Sequence, residues 1–193
     1  MTLRLPPRVH INRKRVPTAE VLFALHRQGV FRYLSRVVGR AETAQDLTQE
    51  VFLRVTRAEV PQADASGHRA WVFKIARNLV LNHLRDGHRH GQPVELVETY
   101  GAAPATQELG VAIREALAQL ADVDRDVFLL RESAGLSYDE IASTCDLTVE
   151  AVRARLRRAR EQLRSTLDSE MTAARRGSVS IRRHREMSER DDQ

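Results

Sequence analysis

The chain has little of the chemistry that builds disulfides, membrane spans or aromatic cores. A single cysteine, Cys145, excludes an internal disulfide and a cysteine-based zinc cluster, which is typical of a reducing compartment. Aromatic residues make up only 5% of the sequence, so aliphatic packing between helices should dominate the core. No apolar run approaches the roughly 20 residues of a membrane span, and the N-terminus has no signal-peptide apolar core. We therefore expect a cytoplasmic protein.

Sequence motifs of enzymes are also missing. There is no Gly-rich phosphate loop and no nucleophile elbow, and Asp46 and Glu50 share a helix face without a companion histidine. Three histidines within residues 83–90 surround an aspartate and could suggest a metal site. Arginines in that stretch oppose a cation and nothing there orients imidazole rings, so solvated histidines are the better interpretation. We expect no enzyme activity, no cofactor and no metal.

Composition divides the chain into two domains. Basic residues outnumber acidic ones by 31 to 26, and the net charge of +5 favours an acidic partner such as nucleic acid. We expect a flexible basic leader at 1–18, a flexible Gly- and Pro-containing linker at 87–105 and a disordered polar tail at 169–193. The domains at 19–86 and 106–168 have helical periodicity and no useful strand-like alternation. The prediction is an all-α fold of two small helical domains, the second containing a helix-turn-helix.

The helix-turn-helix pattern covers residues 136–164. Ser137 and Glu140 have the spacing of a capping box, and after a break Thr148 can cap the next helix. In that helix, apolar residues three and four apart predict a buried stripe: Val152, Leu156, Ala159, Leu163 and Leu167. Arginines cover the other faces, namely Arg153, Arg155, Arg157, Arg158, Arg160 and Arg164. One face should pack and the rest should be cationic.

The arginine density favours DNA binding by this second helix. Its first turns would enter the major groove, with Thr148 at the helix start, Val149, Glu150 and Arg153 nearest base edges and Arg157 on phosphates. Glu150 could accept a hydrogen bond from cytosine, or it could only complement the helix dipole. A packed helix pair that does not bind DNA can show the same caps and period, so the motif alone does not decide.

The first domain shows three helices. The first is predicted over residues 19–40, with Phe23, Val30, Leu34 and Val37 on one side and Gly39 at its end. Thr43-x-x-Asp46 predicts the start of the second, whose outer face carries Asp46, Gln49, Glu50 and Arg54. A solvated face with a Glu50 to Arg54 pair would explain these four residues without any function. Residues 58–68 should form a loop.

The third helix, predicted over residues 71–85, has a mixed polar and basic face. Basic side chains contact phosphates, amides read base edges and an aromatic ring can stack on an unpaired base. The face therefore has the chemistry of single-strand or melted-duplex binding, although a solvated face with a core tryptophan would be equally consistent. The residues are Trp71, Lys74, Arg77, Asn78, Asn82 and Arg85. In the second domain Leu109, Ile113, Leu117 and Leu120 predict a further helix, and Asp122 is predicted to cap the next.

Two sets of motifs occur in order, one in each domain. Together they indicate a protein family more specifically than either set does alone. Residues 46–55 (DLTQEVFLRV) and 69–85 (RAWVFKIARNLVLNHLR) closely resemble the promoter-melting domain of bacterial sigma factors. Residues 125–132, 135–142 and 152–160 resemble the domain that reads the upstream promoter element. The two-domain layout resembles the extracytoplasmic-function (ECF) group of the sigma-70 family.

The resemblance implies partners and site residues. Asp46, Gln49 and Glu50 match the face that binds the clamp of the largest subunit of core RNA polymerase. Residues 58–68 correspond to the loop that captures a flipped minus-ten base, and the third helix handles the melted non-template strand. Residues 149–157 match the helix that reads the minus-35 element. An anti-sigma factor is a possible further partner.

The sequence departs from the family pattern at three places, one of which is the missing proline that is usual near Asp122. The turn before the recognition helix has Cys145-Asp146 where Leu-Gly is usual, so Asp146 would have to adopt the left-handed conformation. Glu150-Ala151 stands where Gly-Thr is common, which affects promoter preference. The alternative to a sigma factor is a stand-alone helix-turn-helix repressor or activator, which would have no reason to carry the first domain's polar faces.

Overall fold

The computed structural model describes residues 16–89 and 104–169, with side chains from 16 to 87 and from 110 to 169. Both described ranges contain α-helices and no strand, which confirms the all-α prediction. The first domain consists of α1 (Ala19–Val38), α2 (Ala41–Arg57) and α3 (Ala65–Arg89). The second consists of α4 (Pro104–Ala118), α5 (Asp122–Glu132), α6 (Tyr138–Cys145) and α7 over residues 149–169. The predicted leader up to residue 15, most of the linker and the tail from residue 170 lie outside the described residues.

Helix α1 ends where the sequence predicts, but the residues on its buried face differ in part from the predicted apolar side. Gly39 adopts φ 73°, a left-handed conformation that suits glycine, and its N–H donates to the Ser35 carbonyl. The buried residues of α1 are Leu22, Val30, Tyr33, Leu34 and Val38. Phe23, which the sequence pattern places on the same side as Val30 and Leu34, is 41% exposed and lies outside this buried set.

Two predicted helix starts in the first domain also differ from the structure. Helix α2 begins at Ala41, so Thr43 and Asp46 lie inside the helix and form no capping box at its start. Helix α3 begins at Ala65, six residues before the predicted start at Trp71. Asp64 accepts a 2.8 Å hydrogen bond from the Gly67 N–H, which satisfies an N–H of the first turn. The predicted loop therefore ends at residue 64, and α3 continues to Arg89, beyond the predicted domain end.

The helix-turn-helix follows its sequence signals closely. Ser137 and Glu140 form the predicted capping box, in which the Glu140 N–H donates to Ser137 Oγ at 3.2 Å and the Ser137 N–H to Glu140 Oε2 at 2.7 Å. Asp146 adopts φ 56°, the left-handed conformation that this turn requires in the absence of its usual glycine. Thr148 Oγ1 accepts a hydrogen bond from the Ala151 N–H at 3.2 Å. By contrast, Asp122 is the first helical residue of α5 and makes no capping hydrogen bond, contrary to the prediction.

The two domains pack against each other around one continuous core. Helix α3 lies against α6, and α1 contacts α5. The apolar cluster joins the buried residues of α1 to α3 with those of α4 to α7. Four predicted residues of α7, Val152, Leu156, Ala159 and Leu163, are buried in it, and Leu167 is half-buried. The sequence predicted two linked domains and no such contact.

Candidate nucleic-acid and protein interfaces

The outer face of α2 is open to solvent. Asp46 and Gln49 are exposed, and Glu50 is half-buried. Glu50 accepts a 2.8 Å hydrogen bond from Arg54 Nε, one turn further along the helix, as predicted. Because an exposed i,i+4 pair contributes only about 0.3–0.5 kcal/mol, it leaves the Glu50 carboxylate available to a partner.

A groove with two phenylalanines in its wall borders this face and was not predicted. It lies between α1 and α2, has a volume of about 570 Å³ and includes Gln49 in its wall. Phe23 and Phe31 line it with 41% and 36% of their surface exposed, and Arg27 lies over the Phe23 ring at 5.6 Å. These residues recur every four positions along α1, a spacing that places them on one stripe beside the buried one. That stripe was the signal by which the groove could have been found.

The predicted polar face of α3 is divided in the structure. Asn78, Asn82 and Arg85 are exposed, and Trp71 is half-buried against the core. The two amides, one turn apart on the same stripe, face solvent together with the Arg85 guanidinium. This part of the face is open to a ligand.

The other two predicted α3 residues are held by carboxylates of the second domain. Lys74 Nζ lies 2.6 Å from Asp146 Oδ1 in a largely exposed ion pair. Arg77 donates from Nε to Asp126 Oδ2, and these two side chains are only 18% and 7% exposed. Burial alone would lower the pKa of Arg77, but the Asp126 carboxylate outweighs burial and raises it. Arg77 is therefore a fully charged cation with a buried counterion.

Asp126 also binds the first domain through Tyr33. The buried Tyr33 hydroxyl donates to Asp126 Oδ1 at 2.5 Å. Burial and the neighbouring carboxylate both raise the pKa of Tyr33 well above its ordinary value. Cys145 lies beside this cluster, where burial and the charge of Asp126 raise the pKa of its thiol to about 12. The sequence patterns singled out neither Tyr33 nor Asp126 for a role, although Asp126 lies within the stretch 125–132.

The start of α7 presents the residues predicted to read bases. Glu150 and Arg153 are 79% and 60% exposed and lie 3.9 Å apart in a weak ion pair. Thr148 is exposed and caps the helix, whereas Val149 is half-buried and packs on the core. Arg157 is 76% exposed. The first two turns of α7 thus place acidic, basic and hydroxyl groups on one accessible surface.

Not every arginine of α7 is available to a ligand. Arg155 donates to Asp124 at 2.8 Å and Arg158 to the same carboxylate at 3.3 Å. Burial would raise the pKa of Asp124, but these two hydrogen bonds lower it. Arg160 pairs with Glu132 at 2.8 Å. The prediction that all of α7 outside its buried stripe is cationic was therefore too broad, because three of its arginines pair with acids of α5.

The described ranges show neither a metal cluster nor a membrane-spanning helix. They contain no group of three or more His, Cys, Asp or Glu side chains arranged to hold a metal ion. His83 is exposed, whereas the side chains of His88 and His90 lie outside the part that the structure describes. None of the helices in this part combines the length and apolar character that a membrane span requires.

Comparison with known families identifies both domains. Residues 22–90 match the family model described as Sigma-70 region 2, and residues 110–163 match Sigma-70, region 4. The chain therefore belongs to the sigma-70 family, whose members are not catalysts in general.

Individual relatives show to which group of the sigma-70 family the chain belongs. The ECF RNA polymerase sigma factor SigE of Mycolicibacterium smegmatis is 33% identical over 162 residues, covering 79% of this chain and 62% of the relative. The ECF RNA polymerase sigma factor SigC of Mycobacterium tuberculosis is 32% identical over 151 residues, covering 75% of this chain and 80% of the relative. Within the sigma-70 family, the chain is an ECF RNA polymerase sigma factor.

Solved structures share the fold. CnrH, solved in complex with the cytosolic domain of CnrY, has a TM-score of 0.57 and 25% identity, with 78% of this chain and 88% of that chain covered. The sigma factor RpoE of Bartonella quintana, solved with the anti-sigma factor NepR, has a TM-score of 0.59 and 21% identity over 76% of this chain and 94% of that chain.

Proposed function

We propose that this chain binds core RNA polymerase, directs it to promoters with minus-10 and minus-35 elements, and assists strand opening. The observation that carries the proposal is the presence of both sigma regions in one chain, each with an accessible polar face. A helix-turn-helix regulator that acts alone needs only the second domain. The region 2 match over residues 22–90 argues against that alternative.

The polymerase-binding face is assigned to Asp46, Gln49 and Glu50 on α2. Two of these side chains are exposed, and the third makes only a surface ion pair. In the adjacent groove, Phe23 and Phe31 supply the apolar contact that protein interfaces combine with a polar rim. In this assignment the clamp of the polymerase's largest subunit is the partner.

The minus-10 region is assigned to α3 and to the loop that precedes it. Asn78, Asn82 and Arg85 are exposed and can contact a single strand, with Trp71 at the same end of the helix as the loop over residues 58–64. Lys74 and Arg77 would add phosphate contacts once their acidic partners leave. Extruding a base costs a few kcal/mol of unstacking, and a loop pocket with a cationic helix can offset that cost.

The minus-35 element is assigned to the first two turns of α7. Val149, Glu150 and Arg153 would lie nearest the base edges, Thr148 would fix the helix start, and Arg157 would contact a phosphate. The capped and exposed helix start supports this placement.

We further propose that the protein acts in the cytoplasm, is not itself catalytic and has an anti-sigma partner. The support for such a partner is that CnrH and RpoE, which share this fold, were solved as complexes, the latter with an anti-sigma factor. A pull-down of core polymerase by the tagged chain tests the proposed function. If the chain binds promoter duplex tightly by itself but neither binds core polymerase nor starts transcription, it is a stand-alone regulator.

A further inference from the structure

Another cavity lies between α1 of the first domain and α4 and α5 of the second. It has a volume of about 510 Å³, within the range of roughly 300–1,000 Å³ that is typical of small-molecule sites. Helix α1 forms one wall with Arg32, Ser35 and Arg36, and the helices of the second domain form the opposite wall. Sites for small molecules often occur at such boundaries between domains. None of the residues assigned above to polymerase or promoter DNA lines this cavity.

The wall formed by the second domain is largely apolar. Ile113 and Leu117 lie one turn apart on α4, and Phe128 and Leu129 are neighbours on α5. Ile113 and Phe128 are half-buried, so part of their apolar surface remains in contact with water. A hydrocarbon or aromatic group placed against this wall would remove that surface from water, which favours binding.

The wall formed by α1 is cationic. Arg32 and Arg36 are exposed and lie one turn apart, so they belong to the same stripe of the helix. Neither makes an ion pair within the described ranges. Glu132, the carboxylate among the residues that line the cavity, pairs with Arg160 at 2.8 Å instead. The two guanidinium groups are therefore available to an anion.

Between the two arginines lies a hydroxyl without a partner. Ser35 Oγ is buried and makes no hydrogen bond to any other described residue. Other hydroxyls on the helices of this chain donate to the carbonyl four residues earlier, as Thr48 does to Ala44 at 2.6 Å and Thr56 to Phe52 at 2.9 Å. A buried hydroxyl without a partner has lost its hydrogen bonds to water and gained none in return, which costs free energy. A ligand atom that bonds to Ser35 would remove this cost.

We propose that this cavity is a binding site for an amphipathic anion, a molecule with an apolar body and one carboxylate or phosphate group. The apolar body packs on Leu117 and Phe128, and the head group accepts hydrogen bonds from Arg32, Ser35 and Arg36. The bound molecule contacts helices of both domains, so its binding free energy adds to the stability of the folded chain. This inference does not depend on the proposed sigma function, because the cavity shares no residue with the assigned polymerase and promoter faces.

The test measures binding of decanoate and decyl phosphate to the full-length chain by isothermal titration calorimetry, below the concentrations at which they form micelles. Decyltrimethylammonium, which has the same apolar chain and a positive head group, is the control ligand. At least one anion should bind at a single site and raise the melting temperature, and the tighter of the two identifies the head group. The cation should do neither. Equal binding of the cation, or no binding of either anion, would overturn the site.

Two double variants separate the cavity from the general positive charge of the chain. Arg32→Gln with Arg36→Gln should weaken binding of the tighter anion by about tenfold or more, because each guanidinium supplies a charge-assisted hydrogen bond. Arg57→Gln with Arg164→Gln removes the same charge from two exposed arginines that do not line the cavity, and it should bind the anion normally. Equal affinities of the two double variants would overturn the assignment of the anion to this cavity.

Ser35→Ala distinguishes a ligand-binding hydroxyl from one that serves the fold. It should weaken anion binding by about threefold or more, because one hydrogen bond to the head group is lost. The melting temperature of the free chain should stay unchanged or rise, because the variant no longer buries a hydroxyl without a partner. Unchanged anion affinity would overturn the place of Ser35 in the site. None of these readouts needs polymerase, so failure of the wild-type chain to bind core polymerase would count against the proposed sigma function alone.

Discussion

Tyr33 and Asp126 lie 93 residues apart in the sequence, and the tyrosine hydroxyl donates a 2.5 Å hydrogen bond to the carboxylate in the folded chain. This bond crosses from the first domain to the second. It shares its acceptor group with Arg77, a residue of the proposed minus-10 face. One buried carboxylate of the second domain therefore binds side chains from two helices of the first.

The first prediction concerns the ionisation of Tyr33. Its pKa is raised above the ordinary value of 10.0, so its stabilising contribution is complete below pH 10 and is lost as the pH rises through the higher folded value. Absorbance at 295 nm should show one tyrosine that ionises only at higher pH, together with loss of tertiary structure. The delayed step should be absent in Tyr33→Phe. A delayed step that persists in this variant would assign the shift to another tyrosine.

The second prediction tests the polymerase-binding face. The double variant Gln49→Ala with Glu50→Ala should bind core polymerase at least about tenfold more weakly, because centrally placed interface side chains can each contribute more than 1 kcal/mol. Circular dichroism should show an unchanged helical fold. Glu115→Ala, at an exposed glutamate of α4, is the control and should bind normally. If the wild type, the double variant and the control bind core polymerase with equal affinity, Gln49 and Glu50 are not part of the binding face.

The third prediction separates two neighbouring arginines of α7. Arg157 is 76% exposed, so Arg157→Ala should weaken DNA binding at every sequence and reduce the slope of log affinity against log salt by about 1. Arg155 is tied to Asp124, so Arg155→Ala should instead lower the unfolding free energy by about 1–2 kcal/mol with little change in that slope. Salt-dependent fluorescence anisotropy and urea unfolding measure the two effects. An Arg157→Ala effect confined to one base position would contradict its assignment to phosphate.

The fourth prediction concerns the turn before α7. Asp146 has φ 56°, a conformation that asparagine adopts at lower cost than alanine. Asp146→Ala should therefore be about 1 kcal/mol less stable than Asp146→Asn in thermal or urea unfolding. Both substitutions remove the charge of the exposed pair with Lys74, so the backbone conformation accounts for most of the difference between them. Equal stabilities would mean that the left-handed turn costs alanine nothing.

Local sequence rules predicted the local structure well. The Ser137–Glu140 capping box, the Gly39 helix end and the left-handed Asp146 each depend on neighbouring residues, so the sequence carries their signal. The sequence pattern differs from the structure by about one residue at Phe23 and at Asp122. Phe23 is exposed next to the buried Leu22, and Asp122 is the first residue of α5 where the pattern made it the cap. One residue rotates a side chain by about 100° around a helix, which is enough to move it from the core to the surface.

The contact between the domains could not be predicted in this way. Tyr33 and Asp126 pair through the tertiary arrangement, and neither belongs to a motif that marks a partner. The local pattern grouped Lys74 and Arg77 with Asn78 on α3 as a candidate nucleic-acid face, which stays a prediction. The local pattern could not show that Lys74 and Arg77 meet carboxylates of the other domain.

Run-off transcription with purified core polymerase tests the central claim most directly. The template is a promoter selected by the holoenzyme from a random library, and the control is core polymerase alone. The account predicts that the wild-type chain binds core and produces a defined transcript, and that Gln49→Ala with Glu50→Ala reduces transcript yield in proportion to its lost affinity. A chain that binds duplex DNA but yields no core complex and no transcript would contradict the account.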